Sequence, residues 1–184
     1  MNNITQHFYR AGKLFASDDQ VGQFLEKSKK GVVLLSFGSL IKSEDMSDET
    51  KEIFHKMFFK FSEYDFIWKF DGDKTNIPKN VLVSNWLPQQ DILAHQNLKV
   101  FITHAGQSSF QESLCHQKPV LALPINGDQP TNAVESEKIG IGINLPYKDI
   151  TVSFQFLKYR ILVIISCGLN VLTFVIRLCL RNSL

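Results

Sequence analysis

Apolar residues along this chain fall into short blocks separated by polar and glycine-rich breaks, and the blocks alternate between two spacings. Val32-Val33-Leu34-Leu35, Phe66-Ile67-Trp68-Lys69-Phe70, Val81-Leu82-Val83, Val100-Phe101-Ile102-Thr103, Val120-Leu121-Ala122-Leu123 and Ile141-Gly142-Ile143-Asn144 are compact runs rich in β-branched and aromatic types. Such runs predict strands buried on both faces. Between them the period changes. Val21 to Lys30 has the pattern of a short amphipathic helix, and Ile53, Met57, Phe58 and Phe61 recur at helical intervals behind Ser47, Asp48 and Glu49, the polar and acidic start of a helix. Phe110 to His116 and Gln129 to Lys138 predict two more helices. Strands alternating with helices imply an α/β fold with a doubly wound parallel sheet. Gly31 to Ser39 reads as a central strand ending in a glycine turn, and Trp68 reads as core.

The chemistry concentrates between Trp86 and Gln129. The strand Val100–Thr103 runs into His104-Ala105-Gly106-Gln107-Ser108-Ser109, a break of small residues, and then into a helix. A helix N-terminus presents unpaired N–H groups and the positive end of a dipole, a natural seat for phosphate. Gly106 lets backbone approach closely, while Ser108 and Ser109 can cap the helix or donate to phosphate oxygens. His104 sits at a strand's carboxyl end, where open α/β sheets bind ligands. Each residue also has a structural explanation when taken alone. Trp86 can be core and His104 a hydrogen-bonded core histidine. Glu112 can complement a helix dipole, and Asp128-Gln129-Pro130 can simply open a helix.

Taken together, W-x-P-Q from Trp86, L-x-H, F-I-T-H-x-G around His104, Glu112, and P-x-x-x-D-Q ending at Gln129 resemble the UDP-glycosyltransferases, most closely the animal UDP-glucuronosyltransferases. The resemblance covers about Gly31 to Thr151. It implies the Rossmann-like C-terminal domain of a B-type glycosyltransferase, incomplete at its C-terminal end. It further implies donor-binding roles. Trp86 stacks on uracil, Gln89 bonds the nucleoside, Glu112 accepts from the ribose hydroxyls, and His104 contacts the diphosphate. Ser108 stands where the family often has asparagine, and Asp128 and Gln129 hold sugar hydroxyls. Ser36, Gly38 and Ser39 face the donor from the first strand. No metal and no cofactor is implied, with the UDP-sugar, UDP-glucuronate or UDP-glucose, as co-substrate. The expected catalytic base lies on an N-terminal half of the family that these residues do not contain. Two departures stand out. Gln117 occupies the place of a usual helix-ending glycine, at a cost of up to roughly 1 kcal/mol, and Ala105 replaces a common glycine, which reads as a mild change.

At 184 residues, 44% hydrophobic, the chain suits one packed domain. A net charge of +2 argues against a nucleic-acid partner. The three cysteines, Cys115, Cys167 and Cys179, are too scattered for a disulfide framework or a zinc site. Adjacent helical residues point apart, so Cys115-His116 is not read as a nucleophile and base. Gly140-x-Gly142 follows a helix rather than opening one, so it is no dinucleotide fingerprint.

Three segments are expected: a lead-in with a short helix over 1–30, the donor domain over 31–151, and a hydrophobic tail over 152–184. Ile161 to Leu180 is almost wholly apolar and long enough to span a bilayer. A second reading is non-family read-through, because Val-Ser-Phe is one translation of GTAAGT followed by T-rich sequence. No signal peptide is visible at the start, and Asn3-Ile4-Thr5 is a glycosylation sequon. The resemblance implies a membrane-associated protein of the endoplasmic reticulum, while the missing signal leaves a cytosolic orientation open. Two functions follow. One is hexosyl transfer from a UDP-sugar to a small lipophilic acceptor. The other is a catalytically inactive fragment that binds UDP-sugar or pairs with a full-length relative.

Overall fold

The computed structural model describes residues 19–39, 42, 45–150, 161 and 164. In chain order the elements are α1 (Gln20–Lys27), β1 (Val32–Ser36), α2 (Asp48–Lys60), β2 (Asp65–Lys69), β3 (Val81–Ser84), α3 (Gln89–Ala94), β4 (Leu98–Thr103), α4 (Gln107–Cys115), β5 (Val120–Ala122), α5 (Gln129–Lys138), β6 (Gly142–Asn144) and α6 (Tyr147–Ile150). The strands form one six-stranded sheet in the order β3-β2-β1-β4-β5-β6, and every pairing is parallel. The order reverses between β1 and β4, where Ser36 is in register with Thr103. That reversal opens a crevice at the carboxyl ends of the two strands, the place where such sheets take ligands.

Successive side chains of a strand face opposite ways, so each buried strand feeds two layers. Val33 and Leu35 of β1, with Val100 and Ile102 of β4, meet Phe54, Met57 and Phe58 of α2 on one face. Val32, Leu34 and Phe101 meet Leu25 of α1 and Ile92 and Leu93 of α3 on the other. Helices therefore cover both faces, as the alternation of periods predicts. Helix α2 starts where expected, with Ser47 Oγ accepting from Thr50 N at 3.2 Å. Its buried edge packs into an aromatic cluster in which Phe58 lies 5.0 Å from Phe66 and 5.3 Å from Trp68 between ring centroids. Trp68 is fully buried and its indole N–H meets no acceptor among the described residues, so it contributes volume and ring contact to the core.

Two differences from the sequence reading bear on the site. Helix α3 is not foreshadowed by periodicity; it is six residues long and starts behind Pro88 without a side-chain cap. Helix α4 begins at Gln107, with Gly106 as its N-cap. Ser108 and Ser109 are thus inside the first turn and do not cap it.

Helices α4 and α5 end in the same geometry on different residues. Lys118 N donates to Ser113 O at 2.9 Å and Gln117 N to Leu114 O at 3.1 Å. Likewise Ile141 N donates to Ser136 O and Gly140 N to Glu137 O, both at 3.0 Å. Each is a left-handed C-terminal cap closed by two backbone bonds. The left-handed residue is Gly140 at φ +75° in one and Gln117 at φ +54° in the other. Gln117 therefore carries the strain the sequence suggests. Just beyond it, the Lys118 ammonium donates to the His95 carbonyl at 2.8 Å and the Leu98 carbonyl at 3.2 Å. Burial there presses its pKa down to about 8.

Residues 1–18 of the expected 1–30 lead-in and most of the tail lie outside the described residues. Ile161 and Ile164 are described, and both are buried in the α2-side core with Ile143, Leu145 and Ile150. Among the described residues no helix is long and apolar enough to cross a membrane. The expected span 161–180 thus begins with two side chains that the domain core holds.

Two stability outcomes follow. Ile164→Ala should destabilise the domain by about 2–5 kcal/mol, the range for truncating a buried isoleucine. Urea unfolding reads this, and a midpoint equal to wild type would show that the tail does not pack there. Gln117→Gly should stabilise by up to about 1 kcal/mol, with Gly140→Gln losing a similar amount. A lowered melting temperature in Gln117→Gly would refute the strain.

Candidate functional site

The crevice at the carboxyl ends of β1 and β4 is organised around the His104 imidazole. The ring is buried between two glycines. A Cβ at Gly38 would fall 2.8 Å from His104 Cε1, and one at Gly106 would fall 2.5 Å from Nε2. Both are closer than a methyl tolerates, so the turns after β1 and β4 close on the ring only because both residues lack side chains. Gly38 also has φ +75°. Ser36, buried below it, accepts from Gly38 N through Oγ at 3.4 Å and so braces the turn from inside. Ser39 is exposed at the rim.

Ala105 is at φ +63° and almost wholly buried. An alanine there bears the cost of a left-handed backbone, about 1–2 kcal/mol, so the change from glycine is not mild. Neighbours hold the turn in place. Asn132 of α5 donates through Nδ2 to the Ala105 carbonyl at 3.0 Å and to Asp128 Oδ2 at 2.8 Å. Asn132 therefore joins the His104 turn to the acidic rim, a link that its spacing in the sequence does not reveal.

Burial is the main force on His104 and lowers its pKa; the Asp128 carboxylate opposes the shift and the Lys69 ammonium adds to it. A neutral imidazole follows at pH 7, able to donate one N–H. Beside it, Gly106 gives α4 no side-chain cap, so its first-turn N–H groups lack a capping side chain. Ser108 is exposed on that first turn. Ser109 is turned inward and buried, its Oγ accepting from Gln89 Nε2 at 3.2 Å.

A second cluster lies across α3 and α4. Gln89 Nε2 donates to Glu112 Oε2 at 2.7 Å, and Gln90 Nε2 donates to Glu112 Oε1 at 3.2 Å. Each carboxylate oxygen keeps a lone pair for a further donor, which suits a vicinal diol. Trp86, 74% exposed, stands at the edge of this cluster. Trp86 lines two recesses. One, about 520 Å³, is shared with Leu87, Gln89 and Glu112, and the other, about 200 Å³, with Gly38, Lys69 and Asn85.

Asp128 is exposed at the start of α5. Gln129 is not exposed with it. Its Oε1 accepts from Ile125 N at 2.9 Å and Asn126 N at 3.0 Å, and its Nε2 donates to Asn126 Oδ1 at 3.2 Å. The carboxamide shapes the 125–128 loop, with its groups already engaged. Of the other expected residues, Gly38 and Gly106 gather at His104, while Trp86, Gln89, Ser109 and Glu112 form a neighbouring group, with Ser36 buried and Ser39 and Ser108 exposed; Gln90, Asn132 and Lys69 join them without having been singled out. Among the described residues no cluster of histidine, cysteine and carboxylate could hold a metal ion.

Comparison with known proteins agrees with this architecture. The family model for UDP-glucuronosyl and UDP-glucosyl transferases matches residues 17–157. The ecdysteroid UDP-glucosyltransferase of Lymantria dispar multicapsid nuclear polyhedrosis virus is 38% identical over 137 residues, 73% of this chain and 27% of its own length. UDP-glucuronosyltransferase 3A2 of Homo sapiens is 36% identical over 136 residues, covering 71% and 25% respectively. The chain thus spans about a quarter of the length of these relatives. The crystal structure of the glycotransferase of kitacinnamycin superposes with a TM-score of 0.70 at 25% identity, over 82% of this chain and 39% of that one.

The balance of charges around His104 can be read directly. Proton NMR should find it titrating below the ordinary 6.5. Asp128→Asn should push it lower still, since a charge that favours protonation is removed. A folded-state pKa below the unfolded one means that stability from this group is complete above 6.5 and falls as pH drops through the folded value. A His104 pKa unchanged in Asp128→Asn would show that the two do not interact.

Proposed function

This chain belongs to the UDP-glucuronosyl and UDP-glucosyl transferase family, and from that membership we propose that residues 31–151 bind the UDP-sugar donor of a hexosyl transfer. The observation that carries the proposal is the convergence of three subsites on one crevice. A neutral histidine lies between two glycines beside an uncapped helix N-terminus. A doubly hydrogen-bonded Glu112 lies next to Gln89, and an exposed indole stands at their edge. These match, in order, a diphosphate, a ribose diol and a pyrimidine base.

The chemistry asked of these residues is positioning and charge stabilisation. The sugar leaves UDP as an acceptor hydroxyl attacks its anomeric carbon, and negative charge builds on the departing diphosphate. His104 donates one N–H to it, and the first turn of α4 offers backbone N–H groups in a site shaped before the substrate arrives. Asp128 stands at the rim with its carboxylate able to accept from a sugar hydroxyl. Gln129 keeps the loop carrying Asp128 in place, a role one step behind the sugar. Both UDP-glucose and UDP-glucuronate suit this arrangement, and a small lipophilic acceptor completes the reaction by family resemblance.

A second reading is that these residues, about a quarter of the relatives' length, bind the donor without themselves carrying out transfer. The base that deprotonates the acceptor is not assigned to any residue of this chain. Residues 1–184 alone are then expected to bind UDP and to form no glycosylated phenol.

Calorimetric titration of the chain with UDP, UDP-glucose and UDP-glucuronate tests the site. Stacking on an aromatic contributes about 1–3 kcal/mol per base, and a hydrogen bond to a charged group about 1.5–3 kcal/mol. Trp86→Ala and His104→Ala should therefore each weaken UDP roughly tenfold or more. Both mutants binding UDP as wild type does would reject the assignment.

A further inference from the structure

Lys69, the last residue of β2, sends its ammonium between two parts of the crevice that the proposed function treats separately. Nζ donates to the Gly38 carbonyl at 2.9 Å and stands 5.5 Å from the centre of the Trp86 ring. The first contact reaches the turn that closes on His104. The second reaches the exposed indole. The same charge is close enough to His104 to disfavour its protonation.

Trp86 needs such a partner. Its backbone is fixed, since Trp86 N donates to Ser84 Oγ at 3.3 Å and Ser84 Oγ donates to the Trp86 carbonyl at 2.6 Å. Its ring is 74% exposed. An exposed indole on a fixed backbone still turns about two side-chain torsions and would present its face to a base only part of the time. A cation over one face favours one orientation. Lys69 and Trp86 both line the smaller recess, whereas Trp86 lines the larger one with Gln89 and Glu112, the ribose subsite. Lys69 thus holds the ring from a recess other than the one a nucleoside at Glu112 would enter.

We propose that Lys69 is a positioning residue for nucleotide binding, which presents the Trp86 ring to the base and ties that platform to the Gly38 turn against His104. The inference rests on the donor-site reading above. It adds a second element to nucleoside recognition, because the stacking platform is set by a side chain from a different strand rather than by its own loop.

The chain contains two tryptophans, and Trp68 is fully buried. Acrylamide quenching of tryptophan fluorescence therefore reads Trp86 in the free protein, before any nucleotide is added. Wild type, Lys69→Met and Lys69→Arg would be compared by quenching and by calorimetric titration with UDP and with uridine. The expected result is faster quenching in Lys69→Met and binding of both UDP and uridine weaker by about threefold to tenfold, the scale of a lost cation–ring contact and its hydrogen bond. Lys69→Arg, which keeps a cation able to lie over the ring, should restore both readouts. A structural lesion would not be repaired in the uridine arm by charge alone. Wild-type quenching in Lys69→Met, wild-type uridine affinity in Lys69→Met, or failure of Lys69→Arg to restore either readout would each overturn the proposal. Wild type that binds no UDP would remove the donor-site reading and this inference with it, whereas wild type that binds UDP with Lys69→Met unaffected removes the inference alone.

Discussion

The parallel pairing of β1 with β4 is the contact on which the rest of the crevice depends. It sets Ser36 beside Thr103 and so brings the turn after one strand against the histidine after the other. Neither turn makes a site by itself. Gly38 gains its purpose only because His104 Cε1 lies where a Cβ would be, and the imidazole loses water only because Gly38 and Gly106 close over it. Desolvation then keeps the ring neutral, which leaves it one N–H to donate. Sheet register, glycine placement and protonation state form a single chain of causes.

Much of this was legible in the residues, for a physical reason. Buried parallel strands must be apolar on both faces, so β1, β2, β4 and β5 appear as unbroken runs. Helix α2 declares itself through its cap, its acidic first turn and its periodic Phe and Met residues. Helix α3 does not, because six residues hold under two turns and its buried face is only Ile92 and Leu93. The candidate site residues were picked out as a set from a family's spacing, but their directions were not legible. Ser109 and Gln129 stand in the expected places, yet one faces Gln89 and the other its own loop. Direction depends on which neighbours the fold supplies, and Asn132 and Lys69 come from elements far from the motif. In the tail, where apolar composition suggested a lipid partner, the two described residues, Ile161 and Ile164, pack within the domain.

Among the described residues three that are not glycine adopt positive φ, Asn76, Ala105 and Gln117, and of these Ala105 adjoins the crevice. Ala105 and Gln117 stand at the two ends of the α4 unit. A left-handed cap with Gly140 shows that the same chain uses the unstrained solution elsewhere. Ala105 is held by the Asn132 bond and by packing against Val120, Ala122 and Ala133. The backbone around His104 is thus fixed by its surroundings more than by its own preferences, as is common where a site needs one shape.

The strand order also has a consequence for how the chain reaches this state. β1 is buried along its whole length and lies in the middle of the sheet, yet it comes first in the chain among the described strands. One of its neighbours, β2, follows closely; the other, β4, begins only at Leu98. During synthesis the hydrophobic run Val32–Leu35 must wait with one edge open, a condition that invites pairing with other chains. Helices α1, α2 and α3, which all emerge before β4, cover the faces of that half-sheet in the interval but cannot cover the edge. The strand that covers this edge of β1 is the one that delivers His104, so β1 is closed on both sides in the same event that assembles the crevice.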